Sequence, residues 1–254
     1  MLRQLPADQR QEVSREFSRI RNGYMGHVAF RFEGETRELR LKRFLDVVEG
    51  MNLQQISEEA RRVQQAWDLG TLLGIRKDYS DFMAATKLLD KIRLVSYRFI
   101  PLESSLNRAR GDRYKAGFEA VISNGTNFSV YSVIFSTDMH DNDGSLKQKY
   151  EVPDGIKPFE EKSVIAYSNV SSNDGMESGL DRYSNFKPDS VYGAASSDGS
   201  ENIIATLNFT PLPTVEGVKE AENKYRSKYG NNEPAEWSAN IERDLAKHNK
   251  YRGY

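Results

Sequence analysis

Apolar residues in the first third of the chain recur at the spacing of α-helices. Four such stripes predict four helices, around residues 13–20, 41–48, 56–67 and 78–91. In the third helix, Ile56, Ala60, Val63 and Trp67 are predicted to form the inner face. Between the first two helices, the segment 27–35 (HVAFRFEGE) alternates apolar and polar residues, which predicts a short strand or an extended link.

At Ile92 the period changes from 3.6 to 2, which marks a change from helices to strands. Residues 92–102 form the first predicted strand. Two alternating runs flank Asn124-Gly125 and predict a hairpin or tight turn at that pair. Further strands are predicted at 146–152, 162–170 and 201–210. The segment 171–200 is rich in Ser, Asp, Gly and Asn and predicts a long surface loop.

These elements predict an α+β protein of three parts. A helical module at 1–91 precedes an antiparallel immunoglobulin-like β-sandwich at 92–212, and a helical tail follows at 213–254. In the tail, Trp237, Ile241 and Leu245 are spaced by four residues. This stripe is expected to pack either on the rest of the chain or on a partner.

Charge and cysteine content narrow the possible functions. The 254 residues include 36 Lys plus Arg and 37 Asp plus Glu, so the net charge is -1. This balance does not favour binding to nucleic acid. The segment 138–201 is acidic, with 13 acidic and 6 basic residues. The chain has no cysteine, which excludes disulfides, thiolate catalysis and lipid attachment to a cysteine within this sequence.

The loop at 138–144 (DMHDNDG) is the candidate metal site. Asp138, Asp141 and Asp143 offer oxygen ligands of the kind that calcium prefers. An EF-hand register fails because Met139 and Tyr150 would stand at positions that need acidic ligands. The alternative is that these residues only make a turn between strands. No other cofactor is expected.

No catalytic constellation is present in the sequence, and a non-enzyme is predicted. The histidines, His27, His140 and His248, lie in different segments without paired-ligand spacing. Ser184 and Lys187 have S-x-x-K spacing, but this chemistry needs both residues on one helical turn. The following Pro188 instead predicts a loop at this point.

Four aromatic residues around the polar loop form the candidate ligand-binding set. Their rigid rings would suit contact with a carbohydrate or a peptide. The alternative is that they close the open ends of the sandwich. The set is Tyr167, Tyr183, Phe186 and Tyr192.

Three strings resemble a family of Gram-negative envelope lipoproteins that has no established activity. They are LDKIRLVSYRFIPLE, FEAVISNGTNFSVYSVIFSTDM and YEVPDGIKPFEEKSVIAYSN. The family's V-x-N-G-T element corresponds to Ile122, Asn124, Gly125 and Thr126. Its aromatic return strand corresponds to Tyr131 and Phe135. Its P-x-G-L-x-P-G-E loop corresponds to Pro153, Gly155, Ile156, Pro158 and Glu160. Phe159 stands where that loop has glycine. In the N-terminal half, LPADQRQEVSREFSRI and VVEGMNLQQISEEARRV resemble the family's helical pair.

The resemblance implies a periplasmic protein whose full-length precursor is anchored to the outer membrane, and the absence of a catalytic constellation favours a noncatalytic role. Such a protein would bind another protein or an envelope polymer through sandwich edges and loops. Because the sequence has neither a signal peptide nor a lipobox cysteine, it would be a trimmed lipoprotein or a relative without the anchor. No run is long enough to predict a transmembrane segment.

Two alternatives remain open. One is a hydrolase with Asp138, Asp141 or Glu160 as carboxylate catalysts in the 138–200 loops, which would need two carboxyl groups facing one pocket. The other is a cytoplasmic or phage-encoded interaction protein.

Overall fold

The computed structural model describes residues 6–32, 34–101, 116–139, 145–168, 183–194 and 202–247. These residues contain five α-helices: α1 (Ala7–Gly26), α2 (Arg37–Val48), α3 (Leu53–Leu89), α4 (Val215–Tyr229) and α5 (Ala235–Lys247). They also contain seven strands: β1 (Ile92–Pro101), β2 (Ala116–Asn124), β3 (Val130–Met139), β4 (Ser145–Ile156), β5 (Glu161–Ser168), β6 (Tyr183–Tyr192) and β7 (Ile203–Thr206). The predicted α+β class is confirmed.

The chain forms two compact units. The helical unit consists of residues up to Ser80 together with those from Pro213 to Asn249, and the sheet unit includes residues 81–212. The sequence predicts a boundary after residue 91, whereas the units divide within α3. The last turns of α3 belong to the sheet unit because Ala85, Leu88 and Leu89 are buried in its core.

The helices of the predicted tail complete the core of the helical unit. Trp237 and Ile241 of α5 and Tyr225 of α4 are buried in the same cluster as residues of α1 and α3. Of the two alternatives left by the sequence, the structure therefore shows packing on the chain itself. Burial of the Trp237 stripe removes apolar surface from water at about 25 cal/mol per Å².

The segment after α1 is a 3₁₀ turn at Val28–Phe30, and the prediction of a short strand there is wrong. The Phe30 ring stacks on Tyr24 with centroids 4.9 Å apart and lies 5.4 Å from the Trp237 ring. The Asn240 side chain donates to the carbonyls of Ala29 and Arg31, both at 3.3 Å. Alternation in this segment therefore reflects docking against helices instead of pairing in a sheet.

The sheet unit consists of two antiparallel sheets around one core. Their strand orders are β1-β2-β5 and β4-β3-β6-β7. The first sheet contributes Ala120 and Ile122 to the core, and the second contributes Val133, Phe135 and Val191. In the described part of the chain, the fourth strand pairs with the third, so β4 lies at one edge of the four-stranded sheet.

The Asn124-Gly125 pair does not join a hairpin, and this part of the prediction is wrong. β2 ends at Asn124, but it pairs with β1 and β5, whereas β3 belongs to the other sheet. Residues 124–130 therefore form an arch that carries the chain from one sheet to the other. Alternating runs on both sides of a turn occur in either geometry, because each strand still has one core-facing side.

The prediction of one long loop over 171–200 is also wrong, because Tyr183–Tyr192 forms β6 between β3 and β7. Several side chains of β6 are polar and pair with side chains of neighbouring strands, so the strand does not appear as an apolar run in the sequence. The Ser190 and Thr206 hydroxyls lie 2.7 Å apart, and Lys147 forms an ion pair with Asp189. Pro188 is accommodated where the register with β3 shifts.

Candidate functional site

The four predicted ligand-binding aromatics lie at separate positions on β5 and β6. Tyr183 and Tyr192 are the first and last residues of β6, so they lie at opposite ends of that strand. Tyr167 is in β5 of the other sheet, opposite Gly117. Phe186 is half-buried, and its ring lies 4.5 Å from the Tyr97 ring. Lys149 approaches the half-buried Tyr192 ring at 5.6 Å.

The predicted calcium ligands are only partly described. Asp138 lies near the end of β3, opposite Ser145 of β4 and Ser184 of β6. Asp141 and Asp143 lie outside the described residues. Within the residues that are described, no group of three or more His, Cys, Asp or Glu side chains could hold a metal ion.

The structure describes only some of the other chemical candidates from the sequence. Ser184 and Lys187 lie on β6 and not on a helical turn. His27 belongs to the helical unit, where its Nδ1 accepts a hydrogen bond from the Ala29 amide at 3.3 Å. Burial lowers the pKa of the His27 imidazole to about 4, so the ring is neutral at physiological pH. His140 and His248 lie outside the described residues.

The arch between the sheets is organised by the buried Asn124 side chain. Its amide nitrogen lies within donating distance of the carbonyls of Phe128 (2.8 Å), Ile156 (3.0 Å) and Lys157 (3.0 Å). Its amide oxygen accepts from the backbone amide of Thr126 at 3.1 Å and from its hydroxyl at 2.6 Å. One side chain therefore satisfies polar groups from both the arch and the end of β4.

Gly125 is required in the arch by a close backbone approach. Its amide donates to the Lys91 carbonyl at 2.9 Å. A Cβ atom at this position would lie 2.7 Å from the same carbonyl oxygen, which is closer than real Cβ contacts. The N-G-T string therefore has a structural reason at each of its three positions.

Next to the arch, residues 157–160 form the turn between β4 and β5, here called the display turn. The Glu160 amide donates to the Lys157 carbonyl at 3.2 Å, and Phe159 has φ of 61°. Proline at the second position and a positive φ at the third are the features of a type II turn, which favours glycine at that third position. The backbone amide of Asn124 donates to the Glu160 carbonyl at 2.9 Å, so a hydrogen bond connects the display turn to the arch.

Phe159 is the most unusual residue of the described sheet unit. A left-handed conformation costs a residue with a side chain roughly 1–2 kcal/mol relative to glycine. Its side chain is 75% exposed, so packing does not offset that cost. The turn is therefore strained at the one position where it presents a large apolar ring to solvent. In the sequence, the only indication of this feature is that Phe159 stands where the resembled family has glycine.

Glu160, a catalyst candidate in the hydrolase alternative, takes part in the same turn. Its Oε2 accepts a hydrogen bond from the Lys157 amide at 2.7 Å. The side chain thus closes the turn by satisfying a backbone donor.

Comparison of the chain with models of known families, with curated proteins and with solved structures found no match. Among the described helices, none is long and apolar enough to cross a membrane.

Proposed function

We propose that the protein is a noncatalytic bacterial envelope protein that binds a protein or envelope-polymer partner through the loops and edges of its sheet unit. The single observation that carries the proposal is Phe159, a strained and exposed aromatic residue on the display turn. Strained backbone persists where the surrounding structure enforces it, and it concentrates at functional positions.

The base of the display turn is suited to rigid presentation of the ring. The turn is closed by Glu160 on one side and hydrogen-bonded to Asn124 on the other. Aromatic residues with few rotatable bonds lose little entropy when they enter a partner's pocket. A ring held on a rigid turn is therefore an effective anchor for binding.

Two exposed apolar side chains on edge strands add to the available surface. Val95 of β1 and Ile165 of β5 are 53% and 44% exposed, and both strands are edges of the three-stranded sheet. Glu119 of the central strand ties these edges together, because it pairs with Arg98 of β1 and accepts from Ser163 of β5. Edge strands are common docking positions for extended partner segments.

The assignment to the envelope, with lipid anchoring of the precursor, rests on the family resemblance. A chain without cysteine is compatible with an oxidising compartment, because it has no thiol that could form a wrong disulfide. Calcium is not part of this proposal.

Photo-crosslinking in the envelope of the producing bacterium tests the proposal. A photoreactive phenylalanine analogue replaces Phe159 in one strain and Leu39 in a control strain, since Leu39 is an exposed apolar residue of the helical unit at 53%. We expect a discrete crosslinked product at position 159 that is absent at position 39. The same product at both positions, or none, would contradict the proposal, as would turnover of a cell-wall substrate that one side-chain change abolishes.

A further inference from the structure

A polar groove of about 580 Å³ lies between α1 and α3 in the helical unit. We call it the Trp67 groove, because Trp67 is its one large apolar lining residue. Its lining includes Arg15, Arg19 and Asn22 of α1 and Gln64, Trp67 and Asp68 of α3. Those of α1 recur every three or four residues, so they form one stripe along the helix.

The Trp67 indole is exposed for a tertiary reason. The sequence predicts it on the inner face of α3, where Ile56, Ala60 and Val63 are indeed buried, but Trp67 is 43% exposed. The His27 ring lies 4.3 Å from the indole, and Arg15, Arg19 and Asn22 of α1 line the same groove without burying it. The prediction for Trp67 is therefore wrong, and the indole forms part of an open surface.

The His27 ring next to the Trp67 indole is itself held in place by its neighbours. A Cβ atom on Gly70 would lie 3.1 Å from His27 Nε2, so the absence of a side chain at Gly70 gives the imidazole room. The imidazole in turn accepts from the Ala29 amide, which holds the ring against Trp67. Trp67 is therefore a supported platform with its other surface available for a ligand.

The charge of the groove is positive once internal pairs are counted. Asp68 accepts from Gln64 at 3.0 Å and from Lys228 at 3.0 Å, so its charge is compensated within the unit. Arg15 and Arg19 are exposed and have no hydrogen-bond or ion-pair partner among the described residues. Their guanidinium groups are available for carboxylates, which they bind in bidentate geometry.

We propose that the Trp67 groove binds an acidic glycan, with a sugar ring stacked on the Trp67 indole and sugar carboxylates paired with Arg15 and Arg19. An aromatic platform offers flat apolar area to the ring, and the amides of Asn22 and Gln64 offer donors and acceptors to hydroxyl groups. The inference concerns the helical unit alone and does not rest on the function proposed for the sheet unit.

Other anions fit the groove less well. A nucleic acid would stack on Trp67, but its phosphate backbone is tracked by a longer basic surface than two arginines provide. An acidic peptide helix would need several apolar pockets at helical spacing, whereas Trp67 is the only large apolar side chain in the lining. Carboxylated sugar, with hydroxyl groups and one flat face per ring, matches the lining best.

Titration of the full chain with hexagalacturonate, followed by calorimetry and by tryptophan fluorescence, tests the inference. The chain has two tryptophans, and only Trp67 is exposed, since Trp237 is 6% exposed. We expect hexagalacturonate to change the emission of the wild type and a neutral hexasaccharide to bind at least ~10-fold more weakly. Both Trp67→Ala and the double variant Arg15→Ala/Arg19→Ala should raise the Kd about 10-fold or more, and Trp67→Phe should retain most of the affinity.

A matched control is available on the same helix. Arg10 and Arg21 lie on the opposite side of α1, so Arg10→Ala/Arg21→Ala removes the same charge without touching the groove. This variant should bind within about twofold of the wild type, since distant exposed charges are screened.

Several outcomes would overturn the inference. One is an equal loss of affinity in the two double-arginine variants, and another is binding of the neutral hexasaccharide as tight as that of hexagalacturonate. Tighter binding of hexa-aspartate, or of an oligonucleotide of equal charge, than of hexagalacturonate would also overturn it. So would the absence of binding at millimolar hexagalacturonate. Circular dichroism of each variant confirms that the fold is retained. Phe159 is unchanged in all of these proteins, so the result is separate from the crosslinking experiment.

Discussion

The arch and the display turn are neighbours joined by a hydrogen bond, and each has one position that favours glycine. The arch has glycine at that position, whereas the display turn has phenylalanine. In the arch, glycine occupies the position where a Cβ atom would meet the Lys91 carbonyl at 2.7 Å. In the display turn, phenylalanine occupies a position with φ of 61°, where glycine would be favoured. The arch residues are explained by folding alone. Phe159 is not, and this difference is what directs attention to it as a binding residue.

The largest expected effect is on the arch side of the comparison. Asn124→Ala should lower the free energy of unfolding of the sheet unit by at least ~3 kcal/mol, because several buried polar groups lose their partner together. Urea denaturation measures the effect. Asn127→Ala is the matched control, since Asn127 is exposed in the same arch and should change stability by less than ~0.5 kcal/mol. Similar values for both variants would show that Asn124 does not organise the arch.

A somewhat smaller loss is expected for Gly125→Ala. The added methyl group would be pressed against the Lys91 carbonyl, and the arch would have to shift, at a cost of roughly 2–3 kcal/mol. The shift of the thermal midpoint measures it. Gly74→Ala is a control in α3 with no atom within 4 Å of the new methyl group, and it should stabilise the protein slightly. If the Gly125→Ala protein were as stable as the wild type, the close approach to the Lys91 carbonyl would not explain why glycine occupies this position.

The smallest expected effect is a gain in the free energy of unfolding, and it distinguishes the display turn from the arch. Phe159→Gly should raise the free energy of unfolding by up to ~1 kcal/mol, because glycine accepts positive φ while its greater freedom in the unfolded chain offsets part of the gain. Phe159→Ala should give little or no gain, since alanine keeps the unfavourable φ. Differential scanning calorimetry of the three proteins measures the series. A loss of stability in Phe159→Gly would mean that the ring contributes to folding, which would weaken its proposed role in binding.

The sequence predicted local features well where they depend on nearby residues. The helical stripes, the change of period at Ile92 and the turn residues at Asn124-Gly125 follow from side-chain spacing and backbone preferences. The fold class followed from the order of these elements. The strand β6 was not predicted because several of its side chains are polar and pair with those of neighbouring strands, as the buried Ser190 does with Thr206.

The two candidate sites were beyond sequence analysis for different reasons. Phe159 was visible as a departure from an expected glycine, but its exposure and its positive φ depend on how the turn is held by Asn124. Trp67 shares its helical spacing with buried residues, so periodicity placed it inside. Only the tertiary packing of the helices shows that the indole borders a groove and is 43% exposed.

By itself, the sequence determined the α+β class, the change from helices to strands at Ile92 and the residues that suit tight turns, since these depend on local geometry and side-chain patterning. Tertiary structure alone decided that Asn124-Gly125 bridges two sheets, that the C-terminal helices complete the N-terminal helical core, and that Trp67 borders a groove. These outcomes depend on which distant segments become neighbours. Local preferences permit several such arrangements, and only the combined burial of apolar surface and pairing of polar groups selects one of them.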